Sequence, residues 1–257
     1  MATIKSEADI KILREAGKRL AAILLELKKK AKAGVSSREL DLLAEKLIRD
    51  EGDEPAFLNY TPRDSKRPYP ATLCVSVNDE VVHGIPNEKE KILKDGDIVG
   101  LDLGLKHQGL FVDAAITVPI GEIDEGSKKL IEVTKRALEI GIAAARPGKE
   151  VREIGCAIEK FVKPYGYGIV EELGGHGVGY KVHEEPHIPN FCTERPSTHL
   201  KVGMVIAIEP IINEGTKHVV LDKKDGYTYL TADHKRSAHF EHTVFVSEKG
   251  PEILTEL

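Results

Sequence analysis

The run Asp97-Ile-Val-Gly-Leu-Asp102-Leu-Gly-Leu-Lys106-His-Gln-Gly109-Leu-Phe-Val-Asp113-Ala-Ala-Ile-Thr-Val118 places two apolar, β-branched segments around a polar turn. That pattern predicts a β-hairpin. With Lys106–Gly109 as a four-residue loop, Asp102 falls directly opposite Asp113. Opposed residues have Cβ atoms about 4.5–5.5 Å apart, and like charges there repel. Both acids stand among apolar neighbours, where an unpaired carboxylate is costly. An ordinary Asp pair is solvated or bonded to a nearby Arg or Lys. No basic residue is placed between these two on the strands, so a metal ion explains them better.

Outward from the hairpin, further ligand types recur. Ile206-Ala-Ile-Glu209-Pro210 sets an acid in an apolar strand, and Ala238-His-Phe-Glu241-His242 sets another at a strand start. Gly174-Gly175-His176-Gly177-Val178-Gly179 surrounds one histidine with glycines, as where backbone must pass close to something bulky or charged. His183 follows seven residues on. Four carboxylates and an imidazole form an oxygen-rich set that suits Mn, Fe, Co or Zn better than an all-sulfur structural site does. Bridging carboxylates suit two ions about 3.5–4 Å apart. His183-Glu184-Glu185-Pro186-His187 spells H-E-x-x-H, but that zinc motif needs a helix, and Pro186 and Pro189 argue against one. His107, His199, His218 and His234 lie in polar, loop-like sequence and are expected on the surface.

The chain also repeats itself. Setting Gly34 on Gly148 aligns Arg38-Glu39 with Arg152-Glu153 and Gly52 with Gly166. Val82-His83-x-x-Pro86 matches Val182-His183-x-x-Pro186, and Leu93-Lys94-x-Gly96 matches Leu200-Lys201-x-Gly203. Asp102 and Glu209 stand six residues past those last glycines. The order is preserved while the offsets vary. This predicts an α+β chain of two related halves, about 1–120 and 121–257, sharing one curved antiparallel sheet with a site between them. Ser36 and Glu39 mark a capping box ahead of Leu40, Leu43, Leu47 and Ile48, and a second helix runs from about Ser127 to Pro147-Gly148.

With 37 Lys+Arg against 42 Asp+Glu, the net charge is −5 over 257 residues. Such a balance disfavours sequence-nonspecific nucleic-acid binding. Three scattered cysteines, Cys74, Cys156 and Cys192, read as reduced thiols of an intracellular protein. Neither a signal-like segment nor a membrane-length apolar run is present. A soluble cytoplasmic protein is expected.

Val82-His83-Gly-Ile-Pro, Leu101-Asp102-Leu-Gly through Phe111-Val-Asp113, Gly175-His176-Gly-Val-Gly, His183-Glu-Glu-Pro, Ile208-Glu209-Pro210 and Ala238-His-Phe-Glu241-His-Thr together resemble the type I methionine aminopeptidases, in family order over nearly the whole chain. The resemblance implies a single metallopeptidase domain over 1–257. Its fold would be the duplicated pita-bread fold, with helices on the outer face of the sheet and pseudo-twofold halves. The implied activity is removal of the initiator methionine from nascent polypeptides, with a small second residue preferred. By the same resemblance Asp102, Asp113, His176, Glu209 and Glu241 are the ligands of two divalent ions (Co, Mn, Fe or Zn), Asp113 and Glu241 bridging both. A bridging water or hydroxide is then the nucleophile and Glu209 the proton shuttle. His183 steadies the scissile carbonyl, and His83 sits near the scissile nitrogen. Tyr60, Tyr69, Cys74 and Tyr227 fall at or near the lining of the methionine pocket.

The chain departs from the family pattern at three places. Val182 stands where an aromatic residue is common, Tyr227 where tryptophan is, and Thr61–Pro68 is a longer stretch than usual. The implied protein is monomeric, acts near the ribosome, and binds no specific nucleic acid and no membrane. Proline-specific peptidases share the fold but usually carry an extra N-terminal domain. Type II enzymes carry an insertion after the position of His183, where this chain runs straight on. A metal-free binding protein on this fold would be expected to lose several ligands together, and here all five remain.

Overall fold

The computed structural model describes residues 2–62, 65–195 and 197–256. Helix α1 (Glu7–Lys30) starts at Ser6, whose hydroxyl accepts the Asp9 amide while the Asp9 carboxylate accepts the Ser6 amide. Helix α2 (Ser37–Asp50) starts with the same reciprocal bonds between Ser36 and Glu39, at 3.1 and 2.8 Å, as the sequence predicts. These boxes satisfy amides that a helix leaves unpaired at its first turn. Short strands β1 (Glu54–Pro55), β2 (Leu73–Val77) and β3 (Glu80–Val82) precede the long hairpin β4 (Ile98–His107) and β5 (Leu110–Pro119). Helix α3 (Glu125–Ala144) begins two residues ahead of Ser127, because Asp124 accepts the Ser127 amide at 2.9 Å. Helix α4 (Arg152–Val162) follows, then β6 (Gly168–Ile169), β7 (Gly175–Gly177), β8 (Glu184–Ile188) and β9 (Val205–Ile208). The chain closes with β10 (Ile211–Asn213), β11 (Val219–Leu221), β12 (Tyr229–Thr231), β13 (Ser237–His239), β14 (Glu241–Ser247) and β15 (Gly250–Ile253).

Among the described residues nine strands form one antiparallel sheet along the path β1-β4-β5-β14-β9-β7-β8, with β2 also on β4 and β15 also on β14. The path crosses from the hairpin to the C-terminal strands through β5 and β14, where Ala115 faces Glu241 and Ala114 faces His242. Leu101, Leu103 and Leu105 of β4 and Val112, Ala114 and Ile116 of β5 alternate with the acid positions. They bury on the opposite face of the sheet against Leu13, Leu20 and Leu24 of α1. Two smaller sheets, β13-β10-β6 and β11-β12-β3, complete the architecture.

The hairpin register differs from the one expected. Its turn has two residues, Gln108 and Gly109, both with positive φ (+47° and +85°), so His107 pairs with Leu110. Two-residue turns of this hand match the twist of the strands they join. Asp102 therefore lies opposite Ala115, and Asp113 opposite Gly104. The shift is two residues, which keeps both acids on one face and sets them diagonally rather than face to face. The same shorter turn carries β4 through His107. That residue is not on the surface: it is buried, with Nδ1 2.7 Å from Asp53 Oδ1.

The cysteine expectation is also overturned. Cys156 on α4 and Cys192 are joined in a disulfide with Cα atoms 4.0 Å apart, which leaves Cys74 as a free, buried thiol. At Gly155, beside Cys156, an added Cβ would fall 2.5 Å from the Pro189 carbonyl oxygen and 2.3 Å from that of Phe191. The helix and the 189–192 segment thus run in contact, a proximity that the 36-residue separation conceals.

Candidate active site

Residues directly opposite on neighbouring strands point to the same face, and the face repeats every second residue. Asp102 pairs with Ala115, and Ala115 with Glu241, so these three form one row across the sheet. Two residues along, Thr243 pairs with Ala207 and Ala207 with His176, forming the next row. Asp113 is two residues from Ala115, and Glu209 two from Ala207, just past the end of β9. Strand pairing alone therefore brings all five ligand-like residues to one face. The glycines around His176 serve this packing. A Cβ at Gly175 would stand 2.2 Å from the Ala207 carbonyl oxygen, and one at Gly177 would stand 2.3 Å from that of Glu185.

These residues line a cavity of about 450 Å³ together with His83, His183, Tyr60, Tyr69, Cys74 and Tyr227, so all the site residues expected from the sequence converge. Asp113, His176 and Glu241 each offer a ligand atom within 4.8 Å of the other two. His176 Nε2 is 4.0 Å from Asp113, 4.0 Å from Glu241 and 3.7 Å from Glu209. Its Nδ1 is 2.9 Å from the Gly177 carbonyl oxygen. A proton on Nδ1 donates there and leaves the Nε2 lone pair facing the acids, as a metal-ligating histidine requires.

One oxygen each of Asp102, Asp113 and Glu241 is buried with no hydrogen-bond partner among the described residues. Burial pushes the Asp113 and Glu241 carboxyls well above the usual range, with their acidic neighbours adding to the effect. Burial raises Asp102 to about 6. Orphaned carboxyl oxygens converging with an imidazole nitrogen fit divalent cations, which no described side chain in the cavity replaces.

His83 follows β3 with φ +59°, and burial lowers its imidazole to about 4. His183 precedes β8. The surrounding protein, and after it the His176 ring, lower the His183 imidazole to about 3. Its Nδ1 is 2.9 Å from the Tyr60 hydroxyl. Burial raises the Tyr60 phenol, so its hydroxyl keeps a proton to offer, and donation of that proton to Nδ1 goes with the ring tautomer that carries its hydrogen on Nε2. The H-E-x-x-H string lies largely in β8 rather than in a helix, as expected.

Tyr69, Cys74, Tyr227, Ile85 and Val182 form an apolar cluster with Phe57, and the Tyr69 and Tyr227 rings meet edge-on at 5.1 Å. Burial pushes the Cys74 thiol up, so it packs as a neutral group. Of Thr61–Pro68, Arg63 and Asp64 lie outside the described residues. Ser65 donates to the Tyr227 hydroxyl at 2.8 Å, and Arg67 pairs with Glu88, so this stretch braces the pocket wall.

Three contributors were not singled out in the sequence. Phe57 and Pro62 line the cavity from loop positions that carry no periodic signal. His239 is buried with Nε2 3.5 Å from Glu209 Oε2. Its place two residues before Glu241 was the available clue.

A nine-stranded antiparallel sheet presenting four acids and a histidine to one apolar-walled cavity defines a metal-dependent hydrolase. The model of metallopeptidase family M24 matches residues 11–248. A methionine aminopeptidase of Aquifex aeolicus is 45% identical over 98% of both chains. The crystal structure of a methionine aminopeptidase from Thermotoga maritima covers 100% of both chains at 39% identity with a TM-score of 0.94. A prolidase from Pyrococcus horikoshii superposes with a TM-score of 0.77 and 26% identity over 98% of this chain but only 63% of its own. The chain belongs to metallopeptidase family M24 and, within it, to the type I methionine aminopeptidases, with their pita-bread fold.

Proposed function

We propose that this enzyme removes the initiator methionine from nascent polypeptides whose second residue is small, using two divalent ions. Asp113 and Glu241 would bridge both ions, Asp102 would complete one site, and His176 and Glu209 the other. The observation that carries this reading is the convergence of those five residues, three with an orphaned carboxylate oxygen, on one cavity wall. When bound, such ions supply an activated water as nucleophile and polarise the scissile carbonyl.

The remaining work falls to side chains. Burial acts to raise the Glu209 carboxyl, but His239, His176 and His183 outweigh it and hold the group ionised, ready to take the proton of the attacking water and return it to the leaving amine. His183, protonated on Nε2 by its bond to Tyr60, donates to the carbonyl oxygen as negative charge develops there. His83 faces the scissile nitrogen. The cluster of Tyr69, Cys74, Val182 and Tyr227 takes the methionine side chain.

The same reading makes the chain one domain of two related halves, about 1–120 and 121–257. Its support is conformational. The aligned glycines share left-handed φ values: +89° and +83° at Gly34 and Gly148, +77° and +72° at Gly52 and Gly166, and +93° at both Gly96 and Gly203. The amides of Gly34 and Gly148 each donate at 2.8 Å, to the matched Leu93 and Leu200 carbonyls. The substrate implies work near the ribosome in the cytoplasm, and the family resemblance implies a monomer. Among the described residues, no helix is long and apolar enough to cross a membrane.

The deciding experiment compares Met-Ala-Ser with an x-Pro-x peptide, using protein stripped with chelator and then reloaded with Mn, Co or Fe. Metal-dependent release of methionine from the first supports the reading. Preferential cleavage of the second would reassign the site to a proline peptidase, and an inert reloaded protein would remove the function altogether.

A further inference from the structure

Ahead of α1, residues 3–5 lie against the turn that carries His183. Lys5 Nζ is 2.8 Å from Glu184 Oε2, and both side chains are out of solvent, at 0% and 6% exposure. The Thr3 hydroxyl donates to the same carboxylate oxygen and accepts from Lys5. The other oxygen, Oε1, accepts the amides of Tyr180 and Lys181, the latter at 2.9 Å. One carboxylate therefore ties residues 3–5 on one side and the 180–181 backbone on the other. Additional ties run in the same direction. The Lys5 ammonium sits 4.7 Å from the Tyr180 ring centroid, the Tyr180 hydroxyl donates to Asp9 at 2.7 Å, and the Lys5 amide donates to the Gly203 carbonyl at 2.8 Å.

The next two residues of that turn reach the site. Val182 enters the apolar pocket cluster, and His183 meets Tyr60 and stands 4.3 Å from the His176 ring, centroid to centroid. Glu184 is the residue immediately after His183. A desolvated ion pair holds its geometry because neither partner has water to turn to, and removing one leaves the other buried and uncompensated. Elsewhere on the sheet His176 is held by strand pairing, whereas His183 precedes β8 and depends on this turn.

We propose that Lys5 and Glu184 are a positioning pair that sets the His183 imidazole, making residues 3–5 a working part of the active site although they never touch it. The proposal rests on the reading above that His183 acts on the scissile carbonyl. It assigns the pair no contact with substrate or metal. Its effect passes entirely through His183.

Two measurements test it. In metal-free full-length protein, the imidazole NMR signals of His183, assigned by their loss in His183→Ala, are expected to shift in Lys5→Met while those of His234 stay in place. In metal-loaded enzyme, Lys5→Met is expected to lower kcat for Met-Ala-Ser about 10- to 100-fold with little change in KM, as a misplaced catalytic group does. Placed in the His183→Ala background, Lys5→Met should cost no further kcat, yet should lower the melting temperature as much as it does alone. Should Lys5→Met not fold, Thr3→Val removes one donor from Glu184 and carries the same readouts with smaller effects. Unmoved His183 signals, or a kcat loss that multiplies with that of His183→Ala, would overturn the proposal. A wild-type enzyme that releases no methionine would sink the functional reading instead, and the metal-free spectra would still decide the positioning.

Discussion

The Thr243 hydroxyl bonds both backbone groups of Asp113, accepting from its amide at 2.9 Å and donating to its carbonyl at 2.7 Å. Thr117 does the same for His239, at 2.9 and 2.8 Å. Between them β5 and β14 share only the pairs Ala115–Glu241 and Ala114–His242. The strands part on either side of those pairs, and each threonine hydroxyl fills the gap where a ladder bond would stand. The central seam of the sheet is thus closed by side chains next to the candidate metal ligands.

Thr243→Val keeps the shape and removes that hydroxyl, leaving a buried amide and carbonyl of Asp113 unpaired. Each unsatisfied group costs about 1–3 kcal/mol. Urea unfolding is expected to show a loss of about 2–6 kcal/mol, and titration calorimetry a weaker Mn affinity. A variant as stable as wild type would mean that water or strand closure replaces the hydroxyl.

Glu209→Gln preserves volume and removes the base. Turnover of Met-Ala-Ser is expected to fall by about 10²–10⁴-fold, the usual contribution of a positioned acid–base group. The circular dichroism spectrum should be unchanged. Activity within a few-fold of wild type would exclude Glu209 as the proton carrier.

Tyr60→Phe deletes the donor that sets the His183 tautomer. One hydrogen bond of about 1–1.5 kcal/mol corresponds to a roughly tenfold change. The loss is expected in kcat rather than KM, because the His183 donor is needed most as charge develops on the carbonyl. A rise in KM alone would instead place Tyr60 in the wall of the pocket.

In metal-free protein the stability contributed by the three buried acids should fall as pH rises. Asp102, Asp113 and Glu241 have folded-state pKa values above their unfolded ones, so the folded form holds the extra protons. Their contribution to stability is then fully present below about pH 4, where unfolded carboxylates are themselves protonated. It declines through about 6, where Asp102 ionises, and further as the other two follow. Divalent ions reverse the penalty by pairing with the ionised forms. The gain in melting temperature on adding Mn is therefore expected to be larger at pH 8 than at pH 5. An equal gain at both would show that the acids are already ionised without metal.

Much of the site was legible because strand chemistry is local. Acids interrupting the apolar runs at Asp102, Asp113, Glu209 and Glu241 announce buried charge, and period-two alternation assigns each to a face. Ser36 and Glu39 announce a helix start for the same reason, since a capping box lies within four residues. Helix α1 was not marked in advance, although Ser6 and Asp9 cap it reciprocally. The hairpin register was misplaced because it depends on whether Gln108 accepts a left-handed conformation, and a two-residue slip preserves the face pattern that the sequence displays.

The amino-acid order by itself determined which residues are candidates for the site, which face of a strand each occupies and where α2 begins. These depend on backbone periodicity and neighbours a few positions apart. Only the tertiary structure decided that Asp102 sits diagonally from Asp113, that His107 is buried on Asp53, that Cys156 meets Cys192, and that Lys5 reaches Glu184. Each of these joins segments whose separation is set by how sheet and helices pack, and a contact made across that packing leaves no periodic trace along the chain.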